Sequence, residues 1–112
     1  MSMKNRILGK TNIAVAEIGL GLWAVQGSEW GKADDRESLA AIEKALEMGV
    51  NFFDTSDVYG NGHSEELLGR AMKGRRGKFV VSTKIGWRGF NDGHSAYTTV
   101  DKLIAPHRWF LH

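Results

Sequence analysis

The chain has no cysteine. Disulfide bonds, thiolate catalysis and a cysteine-based zinc site are all excluded by that absence. No stretch approaches the ~18 apolar residues that a membrane-spanning helix needs. The opening residues, MSMKNR, lack the apolar core of a signal peptide, so a cytoplasmic location is expected and a membrane partner is not. A strong charge of one sign is missing as well. Fifteen Lys and Arg stand against 13 Asp and Glu, interleaved along the sequence for a formal net charge of +2. That small imbalance gives no ground for a nucleic-acid partner. The one dense basic cluster is GRRGK at 74–78. A phosphate-binding loop competes there with a solvated connection, and the absence of interleaved aromatics favours the connection. Proline occurs once, at Pro106, where it interrupts a helical pattern by removing a backbone donor and crowding the preceding turn.

What remains is an ordinary globular composition. With 112 residues, 42% of them hydrophobic and 25% charged, the chain is one soluble domain or a piece of one. Ile7–Leu8 and Ile13–Ala16, around the turn residues Lys10, Thr11 and Asn12, read as a hairpin. Glu17 to Leu22 reads as a strand. A helix follows from an Asp34 cap with Glu37 as reciprocal partner. Leu39, Ile42 and Leu46 set its apolar stripe, widened by Ala41, Ala45 and Met48, and Gly49 stops it. Val50–Asp54 is apolar almost throughout, as parallel strands covered on both faces are. Ser64 is predicted to cap a second helix, with Glu65 and Glu66 favourable against its dipole. Within it, Gly69 costs about 1 kcal/mol relative to alanine and suggests close packing on a sheet. Lys78–Ile85 is the next strand, and a third helix is predicted from Thr98 or Thr99. Alternating strands and helices predict a parallel α/β sheet.

Within VNFFDTSDVYG the bulky apolar stretch ends in Asp54, a carboxylate that a buried strand does not need. Side chains alternate along a strand, so Phe52 and Asp54 share one face and Phe53 and Thr55 the other. The next strand sets Val80, Ser82 and Lys84 on one face. Asp54 and Lys84 thus fall at the carboxyl ends of adjacent strands, where α/β folds assemble their sites. An ion pair between them, beside Tyr59 from the loop, has chemical meaning. A free tyrosine titrates near ~10. An ammonium nearby favours the phenolate, and a carboxylate keeps that ammonium charged and in place. The three would form a general acid for a developing alkoxide. The competing reading is a self-satisfied ion pair with Tyr59 as loop packing, which composition alone favours.

GLGLW at 19–23, FFDTSDVYG at 52–60, SEELLG at 64–69 and STKIG at 82–86 together resemble the aldo-keto reductase family in order, spacing and strand placement. The likeness runs from about Arg6 to Ala105, and the tail at 106–112, PHRWFLH, departs from it. It implies a single partial domain over 1–112: the N-terminal part of a (β/α)8 TIM barrel, roughly three βα units behind a hairpin. It implies an oxidoreductase that reduces small aldehydes or ketones to alcohols with NADP(H). On this likeness Tyr59 is the proton donor, tuned by Lys84 and Asp54, with hydride coming from the nicotinamide. Gly21, Leu22, Trp23 and Asp54 border the cofactor. Many relatives carry threonine where Leu22 stands, and leucine offers no side-chain hydrogen bond. Trp23 and Trp87 wall a carbonyl pocket, although core packing is an equal alternative for both. No metal is implied.

The family's fourth catalytic residue, a histidine, ends the fourth strand, and the sequence stops before one. His107 and His112 lie in no matching context and are not assigned. A barrel of this kind takes ~250 residues and eight strands, so this chain is expected to be incomplete for activity. Three strands leave open edges, and self-association through them is expected. Three alternatives compete. One is a regulatory subunit of the same fold that binds NADPH, as channel-associated relatives do, and another is a non-catalytic assembly module. The third, a metal hydrolase using Asp54, Asp57, His63 and Glu65, lacks any HExxH spacing and is disfavoured.

Overall fold

Gly9, at φ 56°, occupies the left-handed region that glycine enters without steric cost, and the chain reverses around it. Strands β1 (Asn5–Ile7) and β2 (Ala14–Ala16) pair antiparallel across this turn, with Arg6 opposite Val15. The turn is tied by the Thr11 hydroxyl, which donates to the Leu8 carbonyl at 2.6 Å. The computed structural model describes residues 2–26 and 34–84. Trp87, the helix predicted from Thr98 or Thr99, Pro106, His107 and His112 lie outside the described residues.

Three short parallel strands follow: β3 (Leu20–Gly21), β4 (Phe52–Asp54) and β5 (Val80–Ser82), in the order β3-β4-β5. Helix α1 (Asp35–Glu47) joins the first two and α2 (His63–Met72) the last two. Both helices pack on one face of the sheet. Ile42 and Ala45 of α1 share a core with Leu68, Ala71 and Met72 of α2, together with Leu22, Val50, Phe53 and Phe79. The Phe53 and Phe79 rings lie 4.9 Å apart, centroid to centroid. A doubly wound sheet would carry helices on both faces. Sequential parallel strands with helices on one face are a wedge of a (β/α) barrel.

The strands are shorter than the sequence suggests, because the hydrogen-bonded ladder covers only their central residues. Residues Arg76–Lys78 form a 3-10 turn rather than the start of β5. Among the described residues the two faces of β4 are covered unequally. Phe53 is fully buried against the helices, while Phe52 and Asp54, on the opposite face, are only partly buried.

Helix α1 begins as expected, Asp34 accepting from the Arg36 N–H at 2.8 Å. It ends in a Schellman motif. Gly49, at φ 91°, donates to the Leu46 carbonyl at 3.0 Å, and Val50 donates to Ala45 at 2.9 Å. Met48 does not widen the apolar stripe; it lies past the last turn and is exposed. Among the described residues Gly69 packs closely against nothing, for a Cβ there would meet no atom within 4 Å.

Asn51 fastens the hairpin to the sheet. Its side chain accepts from the Ala16 N–H at 2.7 Å and donates to the Ala14 carbonyl at 2.9 Å. The arginines of the basic cluster are occupied within the chain. Arg75 holds Glu43 through both guanidinium nitrogens, donates to the Ala71 carbonyl, and lies over the Phe79 ring. Arg76 donates to the Phe79 carbonyl. The guanidinium beside Glu43, opposed by partial desolvation, holds that carboxyl below its ordinary value. Among the described residues no helix is long and apolar enough to cross a membrane.

Candidate active site

The parallel register places Gly21, Asp54 and Ser82 side by side at the carboxyl ends of β3, β4 and β5. Lys84 follows Ser82 by two residues, so alternation returns its side chain to the face that carries Asp54. Its ammonium lies 3.0 Å from Asp54 Oδ2 and 2.8 Å from the Thr55 carbonyl oxygen. Each side chain of the pair keeps 42% exposure. The group is therefore a half-open pair at the mouth of the sheet, not a core ion pair.

Tyr59 arrives from the loop after β4. The loop folds back through Gly60, Asn61 and Gly62, all at positive φ (60°, 55° and 100°). Two glycines and an asparagine are the residues that enter this region most readily. Their turn brings the Tyr59 ring over Lys84, whose nitrogen is 5.0 Å from the ring centroid. Partial burial disfavours the Lys84 ammonium. Hydrogen bonding to Asp54 and then to Tyr59 outweighs that effect, so its pKa lies above the ordinary lysine value of 10.5. At neutral pH Lys84 is therefore a firmly charged cation between Asp54 and Tyr59.

The remaining predicted positions divide. Gly21 is exposed beside Asp54, and among the described residues a Cβ there would meet nothing within 4 Å, so space stands open beside it. The Leu22 side chain points into the core at 2% exposure. Only its backbone faces the site, with its N–H donating to the Asp54 carbonyl at 2.8 Å. Trp23 opens a 3-10 turn and is 52% exposed, which is not the packing of a core residue. His63 Nε2 lies 2.6 Å from Asp35 Oδ1 and joins the starts of the two helices.

Behind the mouth lies a buried polar layer that sequence reasoning missed. Ser64 is not a helix cap: Gly62 occupies that position, and Ser64 sits in the first turn facing inward. Its hydroxyl is 2.9 Å from Thr55 Oγ1 and donates to the Leu22 carbonyl at 3.3 Å. Glu65, fully buried, accepts from the Thr83 hydroxyl at 2.6 Å. Asp57, also buried, accepts from Ser56 at 3.1 Å. Ser-Glu at a helix start reads as a cap and a dipole partner. Only the threonines beside the charged groups, Thr55 after Asp54 and Thr83 before Lys84, hint at inward partners.

Comparison with known proteins agrees with the fold. The model of the aldo/keto reductase family matches residues 17–105. Aldo-keto reductase YhdN of Bacillus subtilis is 38% identical over 90 residues, covering 77% of this chain and 27% of that protein. A probable voltage-gated potassium channel subunit beta of Oryza sativa subsp. japonica is also 38% identical over 90 residues, covering 78% of this chain and 26% of its own. Among solved structures, an aldo-keto reductase from Klebsiella pneumoniae in complex with NADPH superposes with a TM-score of 0.66 at 25% identity. That match covers 96% of this chain and 36% of the other. The chain thus spans about a quarter of the length of these curated relatives.

Proposed function

The chain belongs to the aldo/keto reductase family, and from that premise we propose that the protein reduces small aldehydes or ketones to alcohols with NADPH, Tyr59 giving the proton. The observation that carries this reading is the convergence of Asp54, Tyr59 and Lys84 at one strand mouth. The residues present fit a nicotinamide cofactor in one respect that geometry can test. Gly21 leaves open space directly beside Asp54, where a larger side chain would fill the approach. Gly21, the Leu22 backbone, Trp23 and Asp54 would border the nicotinamide end of the cofactor. When bound, that cofactor supplies the hydride.

This chain's own residues handle the proton. As the carbonyl oxygen of the substrate gains negative charge, the Tyr59 hydroxyl donates its proton to it. Negative charge then remains on the Tyr59 oxygen. The Lys84 ammonium offsets that charge from above the ring, and Asp54 keeps the ammonium protonated and aimed. The Thr55 carbonyl fixes it from a second direction. Trp23, half-exposed at the same end, forms one apolar wall of the carbonyl pocket, with Trp87 proposed as the other.

The test is reduction of a simple aldehyde by the whole protein, followed as loss of NADPH absorbance. Tyr59→Phe is expected to lower kcat by roughly 10²-fold or more, the usual scale of general acid catalysis. NADPH affinity, read by nicotinamide fluorescence, should change less than about twofold, since the hydroxyl acts on the developing alkoxide and not on bound cofactor. Equal loss of both would make Tyr59 a structural residue. A second reading has its own support in the similarity to the rice channel subunit. On that reading the protein binds NADPH as a regulatory ligand, and tight binding without aldehyde turnover is the outcome that selects it.

A further inference from the structure

Glu65 is fully buried and ionisable, and the proton transfer above makes no use of it. The Thr83 hydroxyl donates to it at 2.6 Å. Thr83 precedes Lys84, and alternation sends the two side chains to opposite faces. One reaches toward α2 and the other toward the mouth. The same division holds on the neighbouring strand. Thr55, next to Asp54, turns its hydroxyl to Ser64 and its carbonyl to the Lys84 ammonium. Ser64 also reaches the Leu22 carbonyl beyond the end of β3.

These bonds begin where the backbone ladder runs out. Among the described residues, the last backbone bond between the β4 and β5 segments joins the Thr55 N–H to the Ser82 carbonyl at 2.8 Å. Thr83 and Lys84 continue past it, so their position depends on side-chain ties. We infer that Ser64 and Glu65 are positioning residues: two neighbours in the first turn of α2 grip the ends of the strands through Thr55, Thr83 and Leu22, and so hold Lys84 between Asp54 and the Thr55 carbonyl. Its catalytic consequence rests on the proton-transfer reading of Tyr59; the placement of Lys84 does not.

Two measurements separate those statements. The first is NMR titration of this chain with 13Cε-labelled lysine, the Lys84 signal being identified by its loss in Lys84→Arg. Among the described residues, Asp54 and Tyr59 are the titratable groups that face this ammonium. Thr83→Val keeps the shape of the side chain but removes the donor. It is expected to lower the Lys84 midpoint by about half a pH unit, a roughly threefold loss of proton affinity. Thr83→Ser, which keeps the hydroxyl, should stay within a fraction of that. An unmoved midpoint in the valine variant, or equal shifts in both, overturns the clamp. Should the valine variant fail to fold, Ser64→Ala decides: a lowered midpoint supports the clamp and an unchanged one overturns it. The second measurement is aldehyde reduction by the whole protein. Thr83→Val should lower kcat about tenfold with the KM for NADPH within about twofold, and Thr83→Ser should recover it. If the unmutated protein reduces no aldehyde, the functional reading fails while the titration still judges the clamp.

Discussion

Replacing Asp54 by asparagine keeps the shape of the side chain and removes the charge that faces Lys84. Two unit charges 4 Å apart attract by about 1 kcal/mol in water and about 4 kcal/mol at an effective dielectric of 20. The pair here is 3.0 Å apart, but each partner keeps 42% exposure, which places it toward the watery limit. Exposed pairs measure roughly 0.2–1 kcal/mol. Asp54→Asn should therefore lower the Lys84 midpoint by up to about 0.7 of a pH unit, the equivalent of ~1 kcal/mol. The sign of the stability effect follows from linkage. In the folded chain the Lys84 pKa is raised above the ordinary 10.5. The pair's contribution is then fully present below that ordinary value and fades as pH rises through the folded one. Urea unfolding at pH 8 should show the variant less stable by up to about 1 kcal/mol, and the deficit should close above the folded Lys84 value. A Lys84 midpoint that stays put or rises in lysine NMR, or a deficit that persists unchanged in strong alkali, would refute the pairing argument.

Three further outcomes are expected. Gly49→Ala forces an L-residue to φ 91° and sets its Cβ 2.9 Å from the Cβ of Met3. Thermal or urea melts should show a loss of about 1–2 kcal/mol, the cost of a left-handed residue, and an unaltered melt would mean that the Schellman turn relaxes. Asn51→Ala removes both bonds that fasten the hairpin, at about 1 kcal/mol each. Hydrogen exchange should quicken at Ala16 and across β1–β2 while the amides of α1 and α2 keep their protection; uniform loss would contradict a local tether. Glu43→Gln should destabilise the chain at neutral pH. Because the Glu43 carboxyl is held below its ordinary 4.5 by Arg75, its contribution is present above that value and lost as pH falls through the folded one, so the two chains should converge in acid melts. A gap that widens below pH 4 would be inconsistent with this sign.

The reach of sequence reasoning can be traced through particular residues. Asp54 at the end of an apolar run, and Lys84 at the end of the next, were legible because a strand has a period of two and sites gather at carboxyl ends. Asp34 and Gly49 marked the ends of α1 because capping is local chemistry. The hairpin was legible for the same reason, since its turn residues act on their immediate neighbours. Ser64 was misread as a cap, and the inward turn of Glu65, which does stand in the first turn of α2, was missed, because both meet the local requirements of a helix start. Their partners, Thr55 and Thr83, are nine and 18 residues away, and no short-range pattern encodes that pairing. The basic cluster at 74–78 shows the same limit, since its two arginines are taken up by Glu43 and by the Ala71 and Phe79 carbonyls.

By itself the sequence determined which residues carry charge at strand ends, where the chain turns, and which faces are apolar, because those follow from period and from backbone preference. Only the tertiary structure decided that both helices cover one face of the sheet, leaving Asp54, Tyr59 and Lys84 half-open on the other. It alone decided that a buried carboxylate stands behind them. Such placements are set by contacts between segments far apart in the chain, where distance, burial and register act together.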